Sequence, residues 1–215
     1  MSQGGQPGHS PGPPPIPIGQ RLVEGLLWRL PRVGLRLYPY VAVQEGVASG
    51  SALVLPDSLR TGWATEDDID SLDALWMGYM GTTRARLVER FRDGKRCFAV
   101  WDGETVLAAT WCDLATISHR PARRALAEHE VYLFDAYVAP VARGRNLAPL
   151  MRSLCYEACR AMGRTAMLSF TDYYNESSHR FKAKLGARRL HVAVEVTLLG
   201  RWSRTFIVRR YQRGA

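Results

Sequence analysis

The sequence predicts a mixed α/β domain in which helices lie on the faces of one sheet. Segments with strand and helix patterns follow one another in the order β-α-α-β-β-β-α-β-α-β-β from residue 59 onward. The pair Asp102–Gly103 between two apolar segments is a strong hairpin signal. A third observation is the stretch 131–148, in which a β-branched and aromatic segment leads through an arginine-rich turn into an apolar pattern at helical spacing.

The N-terminal residues divide into a tail and an extension. Residues 1–20 contain six prolines and five glycines, which predicts a disordered tail. Residues 21–58 are predicted to be a helix and strand extension, since helical spacing in 20–30 stops at Pro31. The strand pattern of residues 35–43 contains Pro39, which favours a position at the edge of a sheet. Residues 46–52 have the composition of a linker. Contact of residues 20–30 with a membrane surface is a less favoured alternative.

The remainder, 59–215, is predicted to be the main domain. Thr65 and Asp68 have the spacing of a capping box, and Asn175 has the position of a helix N-cap. The region 113–128 is predicted to be irregular or helical. The predicted strands cover 59–64, 96–101, 105–112, 131–138, 165–170, 190–199 and 205–211. The predicted helices cover about 66–80, 83–92, 147–162 and 176–185.

The charge of the chain favours an anionic ligand more than a nucleic acid. Its formal net charge is +9, yet only three basic residues are lysines, and arginine prefers phosphate and carboxylate partners. Abundant alanine and arginine also fit a genomic codon bias. The C-terminal arginines, from Arg201 to Arg213, leave a basic nucleic-acid-associated protein as a minor alternative, but no nucleic-acid motif accompanies them.

The four cysteines show neither the spacing of a metal site nor a secreted context. Cys155 and Cys159 lie one helical turn apart among apolar neighbours, so we expect buried reduced thiols and no bound metal. No apolar segment is long enough to span a bilayer, and the first residues lack the order of a secretory signal. We therefore expect a cytoplasmic protein, either a monomer or a homodimer.

The turn within 131–148 has the chemistry of an anion site. The first N–H groups of the helix that begins near Leu147 have no intrahelical partners, and the helix dipole adds positive potential there. Arg143 and Arg145 add full charges. Together these groups predict a cradle for a diphosphate.

Two motifs stand at the ends of predicted strands: Val138, Pro140, Arg143 and Ala148 form the first, and Asn175 opens the second. Together they resemble the motifs of the GCN5-related N-acetyltransferase (GNAT) superfamily, with Asn146 in place of the central glycine of the first motif. Asn tolerates left-handed backbone better than other non-glycine residues. In the second motif the matching residues are Asn175, Ser178, Lys184, Leu185 and Gly186. There Lys182 replaces the usual tyrosine and Ala187 the usual phenylalanine.

The resemblance implies a mostly antiparallel central sheet whose fourth and fifth strands splay apart, with helices on both faces. It implies an N-acetyltransferase (EC 2.3.1.-) that moves an acetyl or acyl group from acetyl-CoA to an amine by direct attack in a ternary complex, without a metal. The residues that it places against acetyl-CoA are Tyr137, Val138, Ala139, Arg143, Gly144, Arg145, Asn146, Leu147, Ala148, Asn175 and Ser178.

Four side chains are candidates for the catalytic chemistry. The family's glutamate position holds Tyr132, but Glu130 shares its strand face, and Asp135 reaches that face if a β-bulge re-aims it. Either carboxylate is a candidate base, with His129 as a further alternative. Lys182 stands at the position where the family's tyrosine protonates the departing thiolate. The alternative interpretation is that Lys182 is a solvated surface lysine. Tyr174 is the fourth candidate, because it can supply the hydroxyl that Lys182 lacks.

The acceptor is expected to be a small-molecule or peptide amine. In the resembling family its site is formed by the helices after the first strand and by the last hairpin. Here those regions carry Trp76, Tyr79, Met80 and Trp202, which favour an apolar component. The alternative function is a catalytically impaired acyl-CoA-binding or scaffold module, favoured by the missing tyrosine, glycine and glutamate.

Overall fold

The computed structural model describes residues 30–46, 55–77 and 79–211, with the side chains of Met80 and Arg120 excepted. The predicted tail 1–20 lies outside the described residues. So do the predicted helix 20–30 and the predicted linker 46–52, apart from Leu30 and Gly46 at their ends.

Within the described residues, eight strands form one sheet and two short strands form a second. The order across the large sheet is β10-β9-β1-β8-β7-β4-β3-β2, and every neighbouring pair is antiparallel except β7 and β8. This confirms the predicted mostly antiparallel sheet. The strands are β1 (Leu35–Glu45), β2 (Leu59–Ala64), β3 (Arg96–Asp102), β4 (Thr105–Asp113), β5 (Thr116–Ile117), β6 (Arg124–Ala125), β7 (Glu130–Val138), β8 (Ala166–Asp172), β9 (Arg188–Leu198) and β10 (Trp202–Arg210).

The described α-helices are α1 (Ile69–Trp76), α2 (Arg84–Arg92), α3 (Leu147–Ala161) and α4 (Glu176–Lys184). The predicted capping box of Thr65 and Asp68 is present, although it begins a short 3₁₀ turn, Glu66–Asp68, that leads into α1. The prediction that this helix continues to about residue 80 is wrong. Met77 adopts a left-handed conformation with φ of 38° and ends α1 at Trp76. Among the described helices, none has the length and apolar character needed to cross a membrane.

The strand β1 lies inside the sheet, so the predicted edge position is wrong. It pairs with β9 along one side and with β8 along the other. The carbonyl of Pro39 accepts the N–H of Tyr173 at 3.1 Å, so this carbonyl faces β8. The N and O atoms of a strand residue point to the same side, so an N–H at this position would also face β8. The β8 ladder begins only at Tyr40, so the missing N–H of Pro39 removes no ladder bond.

Apolar side chains are buried on both faces of the sheet. On one face α3 packs against β3, β4 and β7 through residues such as Leu150 and Met151. On the other face α1 and α2 cover β3 and β4, with Leu72 and Leu87 fully buried. This is the predicted arrangement of helices on both faces.

All four cysteines are free thiols in the core, as expected. The sulfur atoms of Cys112, Cys155 and Cys159 lie within 4.8 Å of one another between β4 and α3. The expectation that no metal binds there stays a prediction.

Candidate active site

The candidate site begins where β7 and β8 separate. Their parallel pairing extends only from Glu130 opposite Ala166 to Tyr132 opposite Leu168. Beyond Tyr132 a cleft of about 980 Å³ opens between the two strands. The free edge of β7 therefore faces a cavity large enough for an extended ligand.

A β-bulge shapes the β7 wall of this cleft. The register between β4 and β7 shifts between Ala109, opposite Tyr137, and Trp111, opposite Phe134. Asp135 lies in the bulge with φ of 44° and lines the cleft, as the bulge hypothesis required. Its carboxylate is paired with the guanidinium of Arg90 on α2.

The predicted anion cradle, residues Arg143–Ala148, forms one end of the cleft. Gly144 has φ of 80° and Asn146 has φ of 56°, so both turn the chain through left-handed conformations before α3 begins. The side chain of Asn146 makes no N-cap bond, and its Oδ1 instead accepts the ammonium of Lys184 at 3.4 Å. The first N–H groups of α3 are thus left for a ligand.

Most of the predicted cofactor residues line the cleft. The residues that do so are Tyr137, Val138, Arg143, Gly144, Asn146, Leu147, Ala148, Asn175 and Ser178. Ala139 is half-buried behind the wall, and the Arg145 side chain is exposed on the turn. Across from the cradle, Asn175 caps α4 by accepting the N–H of Ser178 at 3.0 Å.

Lys182 lies at the bottom of the cleft, and the alternative of a solvated surface lysine is wrong. Only 4% of the residue is exposed. Its Nζ lies 3.3 Å from Oε1 of Glu45 and donates to the hydroxyls of Ser169, at 2.8 Å, and Thr171. Glu45 ends β1, so a strand far away in the sequence brings this carboxylate to α4.

A second cation shares the same carboxylate. The Nε of Arg152 on α3 lies 3.1 Å from Oε2 of Glu45, and its NH1 group donates to the hydroxyl of Thr110 at 2.7 Å. Oε2 also accepts the hydroxyl of Tyr156 at 2.5 Å. With both Arg152 and Lys182 protonated, this buried cluster carries one positive charge in excess, and both cations line the cleft.

Burial and neighbouring charges move the pKa values of this cluster. Burial alone raises the pKa of Glu45, but Arg152 and Lys182 outweigh burial, and the Ser169 and Tyr156 hydroxyls add to their effect. The resulting pKa is about 2. Burial lowers the pKa of Lys182, and the attraction of Glu45 partly opposes that effect. Lys182 is thus a cation whose proton is easier to remove than that of an ordinary lysine.

Two of the predicted catalytic residues lie away from the cleft. Glu130 is at the first residue of β7, before the strands part, and its carboxylate accepts two guanidinium bonds from Arg124, at 2.6 and 2.8 Å. It also accepts the N–H of Ala127 at 2.9 Å. Tyr174 lines a separate hollow with Tyr173 and His179. The structure therefore brings together Asp135 and Lys182 but not Glu130 and Tyr174.

Aromatic rings line the cleft around Tyr137, whose hydroxyl lies next to the cradle. Trp76 and Tyr79 flank Tyr137, with ring centroids 6.2 and 4.4 Å away. Their predicted place near an acceptor stays a prediction. Trp202 is on β10 and does not line the cleft. The predicted Met80 side chain lies outside what the structure describes.

Sequence reasoning missed several residues that line the cleft, among them Tyr38, His119, Arg152 and Asp172, and it missed Glu45 beneath the cleft. The signal for Glu45 is an acid at the end of an apolar strand, and none of these residues belongs to a motif with recognisable spacing.

Residues 59–187 match the sequence model of the acetyltransferase (GNAT) family. No curated protein matches the chain significantly.

Solved structures share the fold at low sequence identity. A GNAT-family acetyltransferase from Novosphingobium aromaticivorans superposes with a TM-score of 0.53 at 18% identity, covering 77% of this chain and 66% of its own. A GNAT-family acetyltransferase from Colwellia psychrerythraea gives 0.58 at 14% identity, covering 84% and 63%. A Drosophila protein gives 0.57 at 13% identity, covering 85% and 58%. This chain thus spans less than two thirds of the length of each of the three.

Proposed function

Because the chain belongs to the GNAT acetyltransferase family, we propose that it is an N-acetyltransferase of class EC 2.3.1.- that moves an acetyl or acyl group from acetyl-CoA to an amine. The amine attacks directly while both substrates are bound. The observation that carries this proposal is one cleft that opens where β7 and β8 separate. The anion cradle and several aromatic rings line this same cleft.

The cradle and the β7 edge have the chemistry needed to hold acetyl-CoA. The pyrophosphate is assigned to the turn Arg143–Ala148, where backbone N–H groups, Arg143 and Arg145 supply positive charge. A Cβ at Gly144 meets no atom within 4 Å, so this part of the turn is open to a ligand. The pantetheine arm is assigned to the backbone of Tyr137, Val138 and Ala139, and Asn175 and Ser178 face it across the cleft.

Bound acetyl-CoA supplies a thioester whose acyl carbon is electrophilic and whose leaving group is a thiolate. The chain must orient the thioester, remove a proton from the attacking amine and neutralise the thiolate. We assign the last task to Lys182, because its buried ammonium belongs to a cluster with excess positive charge that lines the cleft. It stands where the family places a tyrosine.

The general base that removes a proton from the attacking amine is not assigned to any of the predicted carboxylates. Asp135 lines the cleft, but its carboxylate is already engaged in an ion pair with the Arg90 guanidinium. We therefore assign to Asp135 the task of holding the bulge and Arg90 in place. Glu130 and Tyr174 receive no catalytic role in this proposal, because neither lines the cleft.

The proposed function is tested by release of free thiol from acetyl-CoA in the presence of a panel of amines, with mass spectrometry of the amine products. We expect thiol and acetylated amine to form in equal amounts. Binding of acetyl-CoA without turnover of any amine would instead support the acyl-CoA-binding module. Lack of binding to every acyl-CoA would contradict both.

A further inference from the structure

The end of the cleft opposite the cradle contains a histidine surrounded by aromatic rings, here called the aromatic pocket. It is formed by Tyr38, His119, Tyr132, Phe134 and Phe170, all of which line the cleft. His119 stacks on Phe170 with ring centroids 4.6 Å apart, and Phe170 is 5.8 Å from Tyr132. Tyr132 in turn stacks on Phe134 at 5.2 Å.

The loop between β5 and β6 holds His119 in this position. The His119 carbonyl accepts the N–H of Ala122 at 2.9 Å, which begins the short 3₁₀ turn Arg120–Ala122. The hydroxyl of Thr205 on β10 donates to the carbonyl of Pro121 at 3.2 Å. The last hairpin thus fixes the histidine loop rather than lining the cleft itself.

The ring of His119 has an unused nitrogen. Its Nε2 is buried and has no hydrogen-bond partner among the described residues. Burial lowers the pKa of His119, and the charges of Asp172 and Glu195 only partly oppose this effect. The ring is therefore neutral near pH 7, which is the form that accepts a proton.

A carboxylate lies beside the rings. Asp172 ends β8, lines the cleft and accepts the hydroxyl of Tyr38, which fixes its orientation. Aromatic faces and a carboxylate together favour an organic ammonium ion, since the ring quadrupole attracts cations and the carboxylate pairs with them. The apolar rings in turn favour a flat apolar body on that amine.

We propose that His119 is the general base of this enzyme and that the aromatic pocket binds a primary amine carried on an aromatic or similarly flat apolar group, with Asp172 as the partner of its ammonium. This inference rests on the proposed function and names the acceptor class and base that the proposed function leaves open.

The step balances in protons and electrons. The amine binds as a cation at Asp172 and loses one proton to solvent as it moves to the thioester. Its nitrogen lone pair forms the bond to the acyl carbon while the carbon–sulfur bond breaks and its electrons go to sulfur. Nε2 of His119 takes the second nitrogen proton, and the thiolate takes a proton from Lys182. Proton return through the cleft restores both residues.

The first test concerns His119. Initial rates with 2-phenylethylamine are measured from pH 5.5 to 9 for the wild type, His119→Ala and His119→Gln, with circular dichroism as a check of folding. The expected loss in kcat is roughly 100-fold or more, the usual contribution of a general base. The Michaelis constant for the amine should change far less. His179→Gln, in the separate hollow, is the matched control and should keep the wild-type rate.

The pH profile separates a base from a structural residue. The titratable groups around the ring are Tyr38 and Tyr40 of β1, Asp172 of β8 and Glu195 of β9. We expect the wild-type kcat to fall on the acid side, below the ordinary histidine pKa, and this limb to vanish in both His119 variants. Wild-type rates, or an unchanged acid limb, in the variants would overturn the assignment of His119.

The second test concerns the amine. With 2-phenylethylamine the enzyme should be at least roughly tenfold more efficient than with L-phenylalanine or spermidine, since Asp172 repels the added carboxylate and the rings do not match a polycation. Asp172→Asn should raise the Michaelis constant for 2-phenylethylamine by roughly tenfold. Equal or better use of the other two amines, or turnover of none, overturns the pocket assignment. Calorimetry with acetyl-CoA on the same samples distinguishes a wrong pocket assignment from a wrong proposed function. The proposed function predicts that acetyl-CoA binds whichever amine is tested.

Discussion

The carboxylate of Glu45 lies 3.3 Å from the ammonium of Lys182. Glu45 is on β1, which precedes the residues that match the family, 59–187, whereas Lys182 is on α4, within them. Glu45 is fully buried and also pairs with Arg152. The N-terminal strand β1 is therefore part of the site: one end supplies Glu45 below the cleft, and the other supplies Tyr38 to the aromatic pocket.

Replacement of Glu45 by Gln should destabilise the fold. The change leaves two buried cations, Arg152 and Lys182, without their counter-charge, and breaking a buried pair in this way costs about 3–5 kcal/mol. The measurement is urea unfolding followed by tryptophan fluorescence at pH 7. Glu128→Gln, at an exposed position, is the matched control and should change stability by less than about 0.5 kcal/mol. Equal stabilities for the two variants would show that the cluster does not hold the fold together.

The same carboxylate predicts an acid-sensitive fold. The pKa of Glu45 is about 2 in the folded protein and 4.5 ordinarily, so ionised Glu45 stabilises the fold fully above pH 4.5. This contribution is lost as the pH falls from 4.5 toward 2, because the folded state then resists the proton that the unfolded state binds. Unfolding free energies measured across this range should fall less steeply for Glu45→Gln than for the wild type. Parallel curves would contradict the depressed pKa.

The sequence predicted the described main-sheet strands from β2 onward, and the four described helices, because each has local signals. The hairpin turn at Asp102–Gly103, the cap at Asn175 and the left-handed Asn146 depend on residues a few positions apart. The place of β1 between β8 and β9 depends on pairing with residues far away in the sequence. The edge position predicted for β1 was wrong because it was inferred only from the N–H that Pro39 lacks. Pro39 happens to lie just before the β8 ladder starts.

The candidate site was predictable only where a motif is contiguous. The cradle Arg143–Ala148 is one turn, in which Gly144 and Asn146 adopt left-handed conformations; that it holds a diphosphate stays a prediction. Glu130 was inferred from strand alternation, but alternation cannot show that the strands part only after Tyr132 or that Arg124 captures the carboxylate. His119 lies in a region without periodicity, and its relation to Phe170 and Asp172 is created by the fold alone.

Lys182→Met should separate catalysis from stability. The remaining pair, Glu45 with Arg152, is neutral in sum, and methionine fills much of the same volume, so the variant should fold. Turnover should fall by roughly 100-fold or more because the departing thiolate loses its proton donor, while acetyl-CoA affinity changes little. Lys184→Met, next to Asn146 at the cradle, serves as the contrast and should lower affinity more than turnover. An unchanged rate in Lys182→Met would leave Lys182 with a structural role only.

The backbone at Asn146 predicts which residues the cradle accepts. Its φ of 56° suits glycine and asparagine but strains a β-branched residue. Asn146→Gly should keep acetyl-CoA affinity, whereas Asn146→Val should lower both affinity and the free energy of unfolding, the latter by about 1–2 kcal/mol. Equal affinities for the two variants, measured by calorimetry, would show that the turn shape does not matter for binding.

We propose that the cleft between β7 and β8 binds acetyl-CoA with its pyrophosphate on Arg143–Ala148. Calorimetric titration of the full chain with acetyl-CoA measures this binding. We predict one site in the micromolar range, weakened roughly tenfold by Arg143→Ala or Arg145→Ala and unchanged by Arg204→Ala on the exposed strand β10. Absence of binding by any acyl-CoA, or equal affinities in all four proteins, would contradict the claim.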